Sequence, residues 1–127
     1  MCDLRSWLND NFLNALPDEL KKNIKSIKRL SDPGYAPVKE GLITTYDKVA
    51  VPSLIELGIT NSATIAGQGT PYVMFTDNYS RIITPPNVYW TRSAHKEVHS
   101  WCGIDMQGYM TSIGGGSANQ VVILICI

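Results

Sequence analysis

Apolar side chains recur at three- and four-residue steps only as far as Leu16, and Pro17 ends the pattern. Leu4, Trp7, Leu8, Phe12, Ala15 and Leu16 share one face of a helix predicted over residues 4–16, with Asp3 as its N-cap. Pro17 opens a second helix, predicted to run to about Ile24, whose first turn carries Asp18 and Glu19 at the positive end of the dipole. No later segment keeps a helical period beyond a single turn. The rest of the chain must therefore be strands and loops, and the fold class is α+β.

The strand signals are short. Residues 25–30 alternate polar and apolar side chains, and Asp47-Lys48-Val49-Ala50-Val51 reads as another strand. Between them, residues 31–41 hold Asp32-Pro33-Gly34, Pro37 and Gly41 and read as a loop. Ser53 and Glu56 form a capping box, with Gly58 placed to close a very short helix. Residues 61–87 are rich in Gly, Thr, Ser, Asn and Pro, which predicts long loops pinned by short strands at 72–75 and 82–83. The last third predicts antiparallel strands at 88–93, 100–106, 110–113 and 120–127, with turns at Gln107-Gly108 and at 114–117. The run Val121-Val122-Ile123-Leu124-Ile125-Cys126-Ile127 suits a strand buried on both faces or covered by a neighbouring chain.

Ten glycines and seven prolines among 127 residues fit one loop-rich domain spanning residues 1–127. Eleven basic and eleven acidic side chains cancel, so no global field exists to hold nucleic acid or an anionic bilayer. Five of the basic residues lie between Lys21 and Arg29; they read either as a phosphate or sialic-type patch or as a solvated surface. No apolar run approaches the ~20 residues that span a bilayer, and no signal-peptide pattern begins the chain. Cys2, Cys102 and Cys126 form no C-x-x-C pair, which suits reduced thiols in a protein made in the cytoplasm.

Catalytic constellations are thin. His95 and His99 share a helical spacing, yet between two strands that spacing separates them by about 13 Å. Cys102 has His99 as a conceivable base, but a strand interior would bury the thiol and weaken it. Asp47, Asp77 and Asp105 are scattered. No catalytic residue, metal site or cofactor is expected, and the chain reads as a non-enzyme.

Aromatic residues point elsewhere. Tyr72, Phe75, Tyr79, Tyr89, Trp90, Trp101 and Tyr109 crowd the second half among amides and hydroxyls, the chemistry of recognition surfaces. The candidate ligand-binding residues are Tyr72, Asn78, Tyr79, His99, Trp101 and Tyr109. Trp7 and Trp90 are expected in the core.

Four blocks in order carry a resemblance: Trp7-Leu8-Asn9 in the first helix, Asp47-Lys48-Val49 ahead of residues 53–58, Tyr89-Trp90-Thr91-Arg92-Ser93, and a Gly-rich hairpin into a final strand. Together they resemble an uncharacterised domain family of bacterial surface and phage structural proteins with W-L-N, D-K-V and W-L-R-S blocks, from which Thr91 departs. That family looks related to the C-type-lectin-like fold, which also carries formylglycine-generating enzymes and variable receptor-binding proteins. The resemblance implies two N-terminal helices packed on a small twisted antiparallel sheet with long loops. It also implies that Trp90 fills the core and that Arg92 holds a buried carboxylate or backbone carbonyls. Relative to the family, one or two N-terminal strands are missing, which would leave an edge open.

The expected function is a recognition or adhesion module of a phage particle or bacterial surface, binding glycan or protein through loops 61–87 and 94–109. The alternative is a structural virion or surface-assembly subunit with no ligand of its own. An open edge or the strand at 120–127 predicts a homo-oligomer or larger assembly. The expected location is the virion or cell surface.

Overall fold

The computed structural model describes residues 3–31, 42–60, 67–95 and 100–127. The chain is α+β, with short helical segments followed by antiparallel strands in small sheets. The loop expected at 31–41 lies outside the described residues apart from Ser31, as do Cys2 and His99.

The first helix is not uniform. An α-helical turn, α1 (Asp3–Trp7), passes into a π-helical turn (Leu8–Phe12) and then α2 (Leu13–Ala15) before Pro17. The second helix, α3 (Asp18–Lys21), is one turn long and stops short of Ile24. The π turn packs on the short strand β3 (Val49–Ala50). Asn9, inside that turn, makes the joint. Its Oδ1 accepts the Lys48 and Val49 amides at 2.9 and 3.1 Å, while Nδ2 donates to the Val49 carbonyl at 2.8 Å and the Arg5 carbonyl at 3.1 Å. The Trp7-Leu8-Asn9 and Asp47-Lys48-Val49 blocks are thus two halves of one contact. Arg5 adds an ion pair to the buried Asp47 at 2.6 Å, and Thr45 donates to the same carboxylate at 2.7 Å.

Strands β1 (Ile27–Ser31) and β2 (Ile43–Asp47) form an antiparallel ribbon. The expected strand at 47–51 therefore divides, since Asp47 ends β2 and Val49–Ala50 is a separate strand. β3 pairs with β7 (Leu124–Ile125). The third sheet has the order β4-β5-β6, from β4 (Tyr89–Ala94), β5 (Ser100–Ile104) and β6 (Met110–Gly114), with a register shift between Trp90 and Ala94. After the turn at Gly114–Ser117 the chain does not continue as a hairpin beside β6. It crosses to the other side of the sheet, where Gln120 bridges Tyr89 in parallel. No strand forms at 72–75 or 82–83; a turn and a 3-10 helix (Tyr79–Arg81) stand nearby instead.

Two apolar clusters make the core. Leu8, Val49 and Val51 form one, with Ile123 and Ile125 against it. Leu54, Leu57, Tyr89, Cys102 and Ile104 form the other, joined by Ile59, Phe75 and Val122. The C-terminal run is therefore apolar because it threads between two clusters, and only two of its residues are in a ladder. Trp7 is not in the core: it is 51% exposed, its ring centroid 6.0 Å from that of Phe12, because Leu8 takes the inward position of the turn. Trp90 is half-buried. Tyr89 and Ile104 are cross-strand partners facing the second cluster, which puts Trp90, opposite Gly103, on the other face of the sheet.

The capping box forms. Glu56 N donates to Ser53 Oγ at 3.2 Å, and Ser53 N donates to Glu56 Oε2 at 3.0 Å. Ile59 N reaches the Leu54 carbonyl and Gly58 N the Ile55 carbonyl, a helix-closing pattern centred on Gly58 at φ +74°. The turn is one winding long, and it buries Glu56 against two guanidiniums. Arg92 holds the carboxylate with both terminal nitrogens, Nη2 to Oε1 at 2.8 Å and Nη1 to Oε2, while Arg29 Nη1 donates to Oε1 at 3.2 Å. Arg92 also donates to the carbonyls of Val51 and Gln68 at 3.0 and 2.9 Å.

Two stability predictions follow from these contacts. Glu56→Ala leaves two guanidiniums unpaired in a dry site and costs about 3–5 kcal/mol, measured by urea unfolding; a midpoint equal to the native one would remove this pair from the account of stability. Asn9→Ala should cost about 2–3 kcal/mol and speed hydrogen exchange specifically at the Lys48 and Val49 amides.

Candidate functional site

Two tight turns at one end of the β4-β5-β6 sheet build a pocket. In the first, Asp77 Oδ1 accepts Ser80 N at 2.8 Å and Ser80 Oγ donates to the Asp77 carbonyl at 2.7 Å, which winds the 3-10 helix and turns Tyr79 outward. In the second, between β5 and β6, Asp105 Oδ1 accepts the amides of Gln107 and Tyr109, each at 2.9 Å, and Asp105 N donates to the Tyr109 carbonyl at 2.8 Å. Gly108 sits at φ +84°, a conformation that favours glycine.

The turns are fastened to each other. Asn78 Nδ2 donates to the Gln107 carbonyl at 3.0 Å. Arg81 donates from Nη1 to the Gly108 carbonyl at 3.1 Å and from Nε to the Leu57 carbonyl at 2.7 Å, so its charge points into the domain. Tyr89, from the core, donates its hydroxyl to the Arg81 carbonyl at 2.8 Å. Burial pushes the Tyr89 phenol up to about 12, against a smaller downward pull from the Arg81 charge. That phenol stays protonated and keeps donating throughout the neutral range.

The open pocket between the turns has a cavity volume of ≈ 310 Å³ and is lined by Asn78, Tyr79, Ile82, Met106, Gln107 and Tyr109. Tyr79 is 75% exposed and Tyr109 55%. Of the candidates drawn from the sequence, Asn78, Tyr79 and Tyr109 converge here. Tyr72 and Trp101 do not line it. Tyr72 is half-buried and ties its backbone N–H to the Glu56 carbonyl at 2.9 Å, while Trp101 is half-buried opposite Ile113 on the sheet face away from the second cluster. His99 lies outside the described residues. Arg92 is in the Glu56 network, away from this lining.

Ile82, Met106 and Gln107 fall within the loops 61–87 and 94–109 expected to bind but are not among the individual candidates, Met106 standing at an expected strand end and Gln107 in an expected turn. Their one local signal was the Asp105-x-Gln107-Gly108 pattern, which fixes a turn but not what it faces. A second groove, of ≈ 340 Å³ and more apolar, runs between Trp7, Phe12, Val121 and Ile123. Among the described residues no group of three or more His, Cys, Asp or Glu side chains stands ready to hold a metal ion, and no helix is long and apolar enough to cross a membrane. Cys102 is fully buried, its Sγ 3.5 Å from the Ala94 carbonyl.

A Cβ on Gly108 would overlap the Asn78 carbonyl. Gly108→Ala should therefore separate the two turns at a cost of about 2–3 kcal/mol and shift amide resonances at residues 76–82 and 105–110. Gly116→Ala, where nothing lies within 4 Å, is the neutral control.

No curated protein and no solved structure gives a significant match. The family described as a domain of unknown function, DUF6273, matches residues 1–122. The chain, covered almost from end to end by that match, belongs to the DUF6273 family.

Proposed function

We propose that this domain is a non-catalytic recognition module with a C-type-lectin-like arrangement, and that it binds its partner through the pocket between Tyr79 and Tyr109. One observation carries the reading. Three residues chosen from the sequence for aromatic and amide chemistry, separated by up to 31 positions, meet around one open pocket. Two exposed tyrosines present large, stiff, amphipathic surfaces, and the turns beneath them are pinned by hydrogen bonds. Such preorganisation reduces the ordering cost of binding. Display on a phage particle or bacterial surface follows from the resemblance of the sequence blocks.

The second reading is a structural subunit that contacts sibling chains. It is favoured by the other groove, where Trp7 and Val121 are 51% and 37% exposed. One experiment separates the two. In a two-dimensional NMR screen with a small-molecule fragment library, hits should perturb Asn78, Tyr79, Gln107 and Tyr109 and vanish in Tyr79→Ala. Hits confined to the Trp7 groove, or none at the tyrosine pocket, would overturn the recognition reading and leave the subunit one.

A further inference from the structure

We infer that the Tyr79–Tyr109 pocket takes an uncharged saccharide; this rests on the recognition reading above. Its chemistry selects among ligand classes. None of the six lining side chains carries a charge. Among the described residues the cation built into the site is Arg81, which is turned inward onto the Leu57 and Gly108 carbonyls. The charged groups that flank the lining in sequence are carboxylates, Asp77 and Asp105, each holding its own turn. An anionic ligand such as a phosphate or an acidic sugar would find no cation in the lining and two carboxylates in the turns that carry it.

A peptide is disfavoured on different grounds. None of the six lining residues lies in a strand, and several main-chain groups of the turns are engaged: the Gln107 carbonyl with Asn78, the Gly108 carbonyl with Arg81, the Asp105 carbonyl with Gly108 N, and the Gln107 and Tyr109 amides with Asp105. An extended peptide finds no edge to pair with there. What remains for a ligand is side-chain chemistry: two phenol rings, the Gln107 amide, and the Asn78 Oδ1 with one N–H. Each amide offers an acceptor beside a donor, the complement of two vicinal hydroxyls. The apolar C–H face of a pyranose fits against an exposed tyrosine ring, with Ile82 and Met106 as the other apolar side chains of the lining. The ≈ 310 Å³ volume is at the small end of the ~300–1,000 Å³ usual for ligand sites, room for one or two rings.

The test is a titration followed by two-dimensional NMR, with EDTA present. The probes are methyl β-glucoside, methyl β-galactoside, methyl α-mannoside and N,N′-diacetylchitobiose, set against N-acetylneuraminic acid and glucuronic acid. At least one uncharged probe should give saturable shifts at Asn78, Tyr79, Gln107 and Tyr109, with affinity about tenfold weaker in Tyr79→Ala and the acidic probes weaker by a similar factor. Tyr79 is exposed, so its variant should keep the native spectrum elsewhere; Tyr109→Phe, which removes one hydroxyl, is the milder check. Equal binding of acidic sugars, or shifts unchanged by Tyr79→Ala, would each overturn the inference. If no uncharged sugar binds while fragments still occupy the pocket, the saccharide inference falls and the recognition reading stands; if neither binds, both fall.

Discussion

The Glu56 carboxylate is the point on which the domain turns. A buried carboxylate has room for about four hydrogen bonds, and all four are made: Oε1 accepts Arg29 and Arg92, and Oε2 accepts Arg92 and the Ser53 amide. The side chain of Glu56 is 5% exposed, and those of Arg29 and Arg92 are 8% and 10%. Desolvating three charges is costly, and the four bonds on the carboxylate offset it although Nε of Arg29 and of Arg92 is buried without a hydrogen bond. The result is specificity of arrangement. Glu56 lies between Leu54 and Leu57 of one apolar cluster, and Arg92 reaches the Val51 carbonyl of the other. A lysine at position 92 would lack the fork that grips both carboxylate oxygens while still reaching two carbonyls.

The same turn positions the pocket. Residues 67–82 hang from it at three points: Ser53 Oγ on the Gln68 carbonyl at 2.6 Å, the Glu56 carbonyl on Tyr72 N, and the Leu57 carbonyl on Arg81 Nε. Gly58 adds a fourth, since a Cβ there would stand 2.5 Å from the Phe75 carbonyl oxygen. A segment with no strand of its own is thereby fastened to the turn. Gly108 and Asn78 then fix the distance between the tyrosines. The geometry of the pocket thus depends on an ion pair in the interior.

What could be read in the sequence was what is local. The capping box at Ser53 and Glu56 is a three-residue pattern, and it formed; strands β4, β5 and β6 alternate, and their positions were visible to within a residue or two. β2 was missed because its inward positions are Thr45 and Asp47, so hydropathy does not mark it. Those polar groups face inward because Arg5, 42 positions away, meets the carboxylate. Trp7 was misplaced because Leu8 and Asn9 occupy the side that faces β3. The C-terminal run was overread because hydropathy reports burial, not pairing: Val122 serves one cluster while Ile123 and Ile125 serve the other.

The division of the charges explains why the candidate site was half legible. The four arginines, Arg5, Arg29, Arg81 and Arg92, all engage internal acceptors, and the planar fork suits such positions. Described lysines such as Lys22, Lys25, Lys28 and Lys48 lie exposed. With its arginines committed to the fold, the domain has aromatic rings and amides left at the end where loops gather. Those types are visible in the sequence as a crowd of tyrosines among asparagines. Which of them meet is not, because the meeting of Asn78 with Gln107 spans 29 positions and depends on Arg81 reaching Gly108. An uncharged pocket is therefore in keeping with a fold that commits its arginines to its own carbonyls and carboxylates.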